Sequence, residues 1–189
     1  LHGIPTSEYR LIGENEAKNH VDFLPVFQKL RTGGYDGRGV QSLKTESDLD
    51  KAFPEPSVLE KAVDLEKELS VIVSRNAKGE IATFPTVELE FNPVANLVEF
   101  LFSPADVSDE VEKTSQELAK KVAEKLEIVG LLAVELFLDK QGNVLVNEIA
   151  PRPHNSGHQS IEGNYTSQFM QHLRSVLDLS LGNTEIVKP

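Results

Sequence analysis

The chain has 189 residues, 39% of them hydrophobic and 26% charged, which is sufficient for one domain with a sizeable core or for two smaller lobes. Its formal net charge of −11 argues against a nucleic-acid partner, because phosphate backbones are bound by basic surfaces, but it does not exclude a small anionic ligand. No apolar run approaches the about 20 residues that span a bilayer, and the lack of cysteine excludes disulfides and thiolate metal sites, as is typical of a cytoplasmic protein.

Short helices and strands alternate over the first third of the chain. Residues 14–23 predict a short helix ended by Pro25, and "PVFQKL" and "GVQSL" predict strands on either side of the glycine-rich segment "RTGGYDGRG". Thr45 is an N-cap with Asp48 at the capping-box position, so "TESDLDKAF" predicts a helix that stops before "PEP". "SVLEKAV" predicts a further strand. Because the chain begins "LHGIPTSEYR", without an initiator methionine, we expect it to be part of a longer protein.

The rest of the chain predicts hairpins and two longer helices. "KELSVIVSRNAKGEIATFPTVELEF" has two β-rich runs around a turn, and "NLVEFLFSP" adds a strand. A helix is expected between Ser108, its N-cap, and Gly130. Its apolar stripe consists of Val111, Leu118, Val122 and Leu126. A second hairpin joins "GLLAVELFLD" to "NVLVNEIAP", and a last helix is expected from about Asn164 to Leu179. Hairpins without regular βαβ alternation indicate an α+β fold with antiparallel sheets.

The second hairpin carries the strongest functional signal. With the turn centred on Gln141 and Gly142, a two- or four-residue loop pairs Glu135 with Glu148. Directly opposed side chains share one face with Cβ atoms about 4.5–5.5 Å apart, where like charges destabilise the pair. Two charges ~5 Å apart at an effective dielectric constant of ~20 repel by roughly 3 kcal/mol. A divalent cation such as Mg²⁺ would remove that repulsion; the alternative is a solvated glutamate or a register shifted by a bulge.

Two further groups of residues point to an anionic ligand. In "APRPHNSGH", Arg152 offers a bidentate fork for an oxyanion, and His154 and Asn155 can donate or accept hydrogen bonds. This predicts an oxyanion site, with a proline-stiffened loop carrying surface histidines as the alternative. Lys29 lies in a strand that we expect to be largely buried, where a nucleotide phosphate would serve as its partner. The glycine-rich segment matches neither GxxxxGK[ST] nor GxGxxG, so its own pattern predicts only a turn or a mobile loop.

Four stretches resemble a known family over nearly the whole chain: "KLRTGGYDGRG", "EKAVDLEKELSVIV", "VELFLDKQGNVLVNEIAPRPHNSGH" and "SQFMQHLRSVLDLSLG". They resemble 5-(carboxyamino)imidazole ribonucleotide synthase, the ATPase subunit of phosphoribosylaminoimidazole carboxylase and an ATP-grasp ligase of purine biosynthesis. The resemblance implies an ATP-grasp fold with two α+β lobes whose antiparallel sheets are flanked by helices. The small lobe is expected at residues 1–58 and the large lobe at 59–189, without the family's flanking Rossmann-like and C-terminal domains.

The resemblance also implies the chemistry and the roles of single residues. ATP and bicarbonate would form carboxyphosphate, which carboxylates the amine of aminoimidazole ribonucleotide. The residues implied to bind ATP are Lys29, the lid residues Gly34, Tyr35, Asp36, Gly37, Arg38 and Gly39, the adenine-binding residues Glu60, Lys61, Ala62 and Val63, the ribose-binding Glu68, and Asn147 and Glu148. The implied Mg²⁺ ligands are Glu135 and Glu148, and the implied bicarbonate and carboxyphosphate site consists of Arg152, His154, Asn155 and Tyr35.

Some expectations stay open at this point. Ala150 stands where many ATP-grasp enzymes have a metal-binding asparagine, so the ligands of a second metal ion are undetermined. The intact enzyme is expected to be a cytoplasmic homodimer that binds neither nucleic acid nor membrane. The alternatives are a module that binds Mg·ATP without catalysis on its own, and another ATP-grasp ligase that uses formate or a peptide acid, against which "PRPHNSGH" argues.

Overall fold

The computed structural model describes residues 3–34, 38–91 and 98–187. The chain forms two compact units, a smaller one over Ser7–Asp64 and a larger one made of Leu1–Thr6 and Leu65–Pro189. The division expected after residue 58 falls inside a strand, Ser57–Lys61, that pairs on both sides within the sheet of the smaller unit.

The smaller unit is built on a four-stranded antiparallel sheet in the order β1-β4-β2-β3. Its strands are β1 (Tyr9–Ile12), β2 (Val26–Leu30), β3 (Val40–Leu43) and β4 (Ser57–Lys61). Strand β1 was not predicted. The two expected helices are 3₁₀-helices, Ala17–Phe23 and Glu46–Lys51. They help form a core with the inward-facing strand residues, a cluster made of Ile12, Ala17, Phe23, Val26, Leu43, Leu49 and Leu59.

The predicted cap of the second 3₁₀-helix is present. The Asp48 carboxylate accepts hydrogen bonds from the backbone N–H groups of Lys44 and Thr45, at 3.1 and 3.0 Å. These groups belong to the helix start, where backbone donors lack helical partners. The carboxylate therefore holds the chain at the point where β3 ends and the helix begins.

The larger unit contains a six-stranded antiparallel sheet in the order β10-β9-β5-β7-β8, with β6 paired to β5. The strands are β5 (Leu65–Arg75), β6 (Ile81–Thr83), β7 (Val87–Phe91), β8 (Val98–Phe102), β9 (Gly130–Asp139) and β10 (Val144–Ala150). The helices are α1 (Asp109–Lys125), α2 (Ser160–Gly163) and α3 (Gln168–Val176), with a 3₁₀ turn at Asn155–Gly157. Both predicted hairpins, β5–β6 and β9–β10, are confirmed.

Side chains of the central strands alternate between two faces of this sheet. Leu132, Val134 and Leu136 of β9 pack in one cluster with Leu118 and Val122 of α1. The side chains between them, among them Leu131 and Ala133, lie on the opposite face, where a smaller cluster forms. Helix α3 packs against β9 and β5. The α1 face is therefore the main core of the larger unit.

Two helix predictions need correction. Leu126, expected in the apolar stripe of α1, follows the last helical residue and is 43% exposed. The last helix does not run from Asn164 to Leu179 but over Gln168–Val176, with Ser167 as its N-cap, because its hydroxyl accepts from Met170 N at 3.2 Å. None of the helices in residues 3–34, 38–91 and 98–187 combines the length and the apolar character required to cross a lipid bilayer.

Candidate functional site

The predicted pairing of Glu135 with Glu148 is confirmed, although by a different route from the one expected. Asp139 N donates to Asn143 O at 3.0 Å beyond the last strand pair, so the loop has three residues, 140–142, rather than two or four, and Gly142 adopts φ +84° where it closes. This loop pairs Val144 with Leu138, a register that would carry Asn147 opposite Glu135. A β-bulge between Val146 and Glu148 shifts the register by one residue, so that Glu148 faces Glu135.

The bulge also decides which face of the sheet Glu148 occupies. Val144 and Val146, before the bulge, belong to the α1 side of the sheet. Because side chains alternate along a strand, regular pairing would direct Glu148 to that side as well. The bulge places Glu148 on the face of Glu135. The Glu135 side chain is 21% exposed and Glu148 is exposed, so the pair is open to a ligand from solvent.

The neighbouring strand β5 adds polar residues to the same face. Ser70 pairs with Glu135, and Glu68 pairs with Phe137, two residues further along β9. Ser70 is fully buried and Glu68 is half-buried. The predicted ribose residue Glu68 therefore lies on the same face as the carboxylate pair.

The loop after β10 brings His154 to this pair. His154 Nε2 lies 3.5 Å from Glu135 Oε1, and its side chain is 11% exposed. On the other side of the ring, Nδ1 lies 2.9 Å from Ser156 Oγ. Burial lowers the pKa of His154 below its usual value, and the positive charges of Arg152 and His158 lower it further. Burial therefore favours the neutral form of this imidazole.

The other two predicted oxyanion residues are accessible. Arg152 and Asn155 are exposed, and Arg152 Nη1 donates to Pro153 O at 3.1 Å within the loop itself. Ala150 is 9% exposed and belongs to the small cluster with Ile72 and Phe84, so its position is part of the core. Arg152 and Asn155 can meet a ligand from solvent, whereas His154 is largely enclosed.

In the smaller unit, Lys29 has a partner within the protein and does not depend on a ligand for one. Its side chain is 26% exposed, and Nζ lies 2.7 Å from Glu60 Oε2. Phe27 pairs with Glu60 and precedes Lys29 by two residues, so all three side chains share one face of the sheet. Phe27 is 41% exposed, which makes this face partly apolar and partly charged.

The predicted adenine-binding residues follow on strand β4. Lys61 N donates to Glu8 O at 2.8 Å and Ala62 N donates to Pro25 O at 3.0 Å, so both backbone donors are already bonded within the smaller unit. The Lys61 side chain donates to the carbonyls of Phe23 and Leu24 at the end of the first 3₁₀-helix. Lys61 therefore joins strand β4 to the end of the first 3₁₀-helix.

The predicted lid is described only at its ends. Tyr35, Asp36 and Gly37 lie outside the described residues. Leu30 N donates to Gly39 O at 2.8 Å, which joins the two ends of the segment beside β2 and β3. Gly39 has φ +80°, a conformation that favours glycine, and a Cβ on Gly34 would lie 3.0 Å from Arg38 O.

Comparison with known proteins identifies the family. Residues 1–169 match the ATP-grasp domain. The chain belongs to the ATP-grasp family. This ATP-grasp chain is 42% identical over 195 residues to N5-carboxyaminoimidazole ribonucleotide synthase of Bacillus subtilis, a match that covers 99% of this chain and 50% of the relative.

Solved structures give the same result. The crystal structure of N5-carboxyaminoimidazole ribonucleotide synthetase from Thermotoga maritima has a TM-score of 0.86 and 45% identity, covering 98% of this chain and 48% of that one. A synthase from Aspergillus clavatus in complex with ADP and 5-aminoimidazole ribonucleotide has a TM-score of 0.89 and 33% identity, covering 98% and 51%. The ATP-grasp chain thus spans about half the length of these relatives. The predicted ATP-grasp fold with antiparallel sheets is confirmed.

The donor set of this ATP-grasp chain fits Mg²⁺. Among residues 3–34, 38–91 and 98–187, no group of three or more histidine, aspartate or glutamate side chains is arranged to hold a metal ion. Mg²⁺ does not require such a cage, since it is often bound by one or two carboxylates together with substrate phosphates and water. Glu135 and Glu148 supply two hard oxygen donors on one face, and Ser70 beside them is neutral.

The sequence did not reveal the residues that hold the loop after β10 in place. Gln168 is fully buried and contacts both backbone groups of His154, accepting from its N at 2.9 Å and donating to its O at 2.7 Å. A Cβ on Gly157 would lie 2.7 Å from Gln168 Oε1, so this glycine is required for the contact. In the sequence, Gln168 is one polar residue inside the expected last helix, and this does not reveal its partner.

Proposed function

We propose that this chain is the ATP-grasp part of an enzyme that carboxylates 5-aminoimidazole ribonucleotide with ATP and bicarbonate. The products are 5-(carboxyamino)imidazole ribonucleotide, ADP and phosphate. The observation that carries the proposal is the opposed pair Glu135 and Glu148 with Arg152 in the loop that follows. The similarity to synthases, one of them in complex with ADP and 5-aminoimidazole ribonucleotide, supports this choice of substrate.

The proposed reaction has two balanced steps. A bicarbonate oxygen attacks the γ-phosphorus of ATP, and the bond to the ADP oxygen breaks, which gives carboxyphosphate and ADP. The amine nitrogen of the ribonucleotide then attacks the carboxyphosphate carbon, phosphate leaves, and the amine loses a proton. Catalysis of phosphoryl transfer depends mainly on positioning and on neutralising charge, so a protein of this kind needs cations more than a nucleophile.

The larger unit carries the groups that suit these steps. Glu135 and Glu148 would hold Mg²⁺, which neutralises phosphate charge when bound. Arg152 would bind bicarbonate and carboxyphosphate through its planar fork, with the exposed amide of Asn155 beside it. Asn147, in the bulge, and Glu68, on the shared face, are proposed to contact the nucleotide, Glu68 at the ribose.

The smaller unit carries groups that suit the rest of ATP. The Lys29 ammonium is proposed to bind a phosphate, exchanging part of its contact with Glu60. Val63 is proposed to read adenine through its backbone, since the N–H groups of Lys61 and Ala62 are bonded within the unit. The segment Gly34–Gly39 is proposed to close over the phosphates, because carboxyphosphate must be kept from water, and Tyr35 is proposed to contact that intermediate.

The test is phosphate release measured with ATP, bicarbonate and 5-aminoimidazole ribonucleotide. We expect release that depends on both bicarbonate and the ribonucleotide, and its loss in Glu148→Ala. Turnover that is unchanged in Glu148→Ala would overturn the metal assignment. Release that proceeds with another acid, such as formate, in place of bicarbonate would favour a different ATP-grasp ligase.

A second candidate function is binding of Mg·ATP without carboxylation. It rests on the match of residues 1–169 to the ATP-grasp domain. Calorimetry with Mg·ATP next to the turnover assay separates the two: binding without carboxylation selects the second function. For the intact protein we infer a cytoplasmic homodimer, which light scattering of the purified protein tests.

A further inference from the structure

A buried hydrogen-bond chain ends on the ring of His154. His154 Nδ1 lies 2.9 Å from Ser156 Oγ and 3.4 Å from Ser156 N. Ser156 Oγ lies in turn 2.8 Å from Ser70 Oγ, on strand β5. Ser156 and Ser70 are 1% and 0% exposed. These hydrogen bonds therefore connect the His154 ring, beside Glu135, to the interior of the sheet.

The donors in this chain determine where the proton of a neutral His154 ring lies. Ser156 N donates to Asn155 Oδ1 at 3.0 Å and lies at a longer 3.4 Å from Nδ1. Since a backbone N–H can only donate, a ring proton on Nδ1 would face it, which favours Nδ1 as an acceptor, and the Ser156 hydroxyl at 2.9 Å is its nearer donor. The Ser156 hydroxyl then also donates to Nδ1, and the Ser70 hydroxyl donates to Ser156 Oγ. The ring proton is left on Nε2, the nitrogen that lies 3.5 Å from Glu135 Oε1. The ring therefore presents an N–H group to the carboxylate.

The backbone of His154 is also held by hydrogen bonds. Gln168 clamps both of its backbone groups, and Gln168 N donates to Ser160 Oγ at 2.9 Å. Gly157 leaves the space that the Gln168 amide occupies. The loop position of His154 is thus set from helix α3, and its tautomer is set from strand β5.

We propose that Ser156, supported by Ser70 and by the Gln168 clamp, keeps His154 in the Nε2–H tautomer so that His154 orients the Glu135 carboxylate. His154 is then a positioning residue for Glu135, and the oxyanion is left to Arg152 and Asn155. Metal-binding carboxylates are commonly oriented by such hydrogen-bond donors. The inference rests on the proposed function insofar as Glu135 is a magnesium ligand.

The tautomer is measured directly by two-dimensional ¹H–¹⁵N NMR of the histidine rings in the ¹⁵N-labelled chain at neutral pH. The His154 signals are identified by their absence in His154→Gln. We expect Nε2 to be protonated and Nδ1 to be bare in the wild type, and a mixture of both tautomers in Ser156→Ala. A wild-type ring protonated on Nδ1, or an unchanged pattern in Ser156→Ala, would overturn the proposal.

Ser70→Ala provides a second variant with a matched control. Ser74 lies on the same strand and face as Ser70 and is also fully buried, but its hydroxyl lies near Ala82 O. We expect Ser70→Ala to shift the His154 signals and Ser74→Ala to leave them in place. Equal responses of the two variants would contradict the role of Ser70.

Calorimetric titration with Mg·ATP tests whether the tautomer of His154 affects binding of the metal and nucleotide. We expect Ser156→Ala to weaken binding about tenfold, the lower end of what groups that orient a metal ligand contribute. Unchanged affinity with an altered tautomer would overturn the positioning role. A wild-type chain that binds no Mg·ATP would instead contradict the proposed function, while the tautomer measurement would still decide the hydrogen-bond chain.

Discussion

Glu135 and Glu148 lie directly opposite each other across β9 and β10 because β10 bulges between Val146 and Glu148. The three-residue loop by itself would pair Glu135 with Asn147. The bulge corrects the register by one residue and moves Glu148 away from the α1 side, so two like charges meet on one face. The repulsion between the two carboxylates destabilises the sheet unless a cation binds between them.

Glu148→Gln removes one of the two opposed charges at nearly constant size. We expect Mg·ATP affinity to fall by at least about tenfold, since groups that only orient a metal ligand already contribute that much. In the absence of ligand, the free energy of unfolding should rise by about 0.5 kcal/mol, because like charges opposite each other destabilise a sheet. Calorimetry and urea unfolding measure the two effects. Glu124→Gln, on the exposed side of α1, is the control, and wild-type affinity in Glu148→Gln would contradict the assignment.

Arg152→Lys tests the planar fork of the oxyanion site. Lysine keeps the charge but cannot form two parallel hydrogen bonds to one oxyanion. We expect carboxylation to fall by about 10²-fold, the lower end of the effect of losing one oxyanion donor, while Mg·ATP affinity stays unchanged. Steady-state kinetics with varied bicarbonate measures the change. Wild-type turnover in Arg152→Lys would remove Arg152 from the site.

Mg·ATP should protect the glycine-rich segment from trypsin. Arg31 and Arg38 are exposed and flank most of its glycines. If the segment closes over phosphate, cleavage after these arginines should slow in the presence of Mg·ATP, as followed by mass spectrometry. Cleavage after Lys78, in the β5–β6 turn, is the internal control and should keep its rate. Equal rates at Arg31 and Arg38 with and without Mg·ATP would contradict the lid.

Gln28→Leu should destabilise the smaller unit. Gln28 is fully buried, and its amide bonds both backbone groups of Phe53 and the hydroxyl of Ser57. Leucine leaves the Phe53 groups without partners, at about 1–3 kcal/mol for each buried group. We therefore expect a loss of about 2–6 kcal/mol in urea unfolding. Gln41→Leu, at a half-buried position on β3, should change stability by less than about 0.5 kcal/mol.

Asp48 should make stability depend on pH in the acid range. The Lys51 ammonium, followed by the Thr45 and Lys44 donors, holds the pKa of Asp48 well below its usual range. A lowered pKa in the folded state stabilises the protein above the unfolded pKa of about 3.9, and this contribution is lost as pH falls below that value. Between about pH 5 and pH 3, which is about one pH unit on either side of that pKa, the melting temperature should therefore decline less steeply in Asp48→Asn than in the wild type. An identical decline in the variant would refute this, and Glu46→Gln, in the same turn, is the control.

The sequence by itself determined the features that depend on neighbouring residues. Turn chemistry and two-residue periodicity located both hairpins, and the spacing of Thr45 and Asp48 located a helix start. The same patterns predicted that Glu135 and Glu148 pair, and the ATP-grasp family followed from motifs that cover most of the chain. These signals are local, because hydrogen bonds of turns and caps join residues that are few positions apart.

Only the tertiary structure decided how the candidate site is held together. Ser70 and Ser156 are 86 positions apart, and their hydroxyls meet because the loop after β10 folds back onto β5. Lys29 finds Glu60 through the pairing of β2 with β4, a partner that the composition of its own strand did not predict. The face of Glu148 depends on a bulge of a single residue. Such contacts follow from strand order and register, which residues distant in the chain set together.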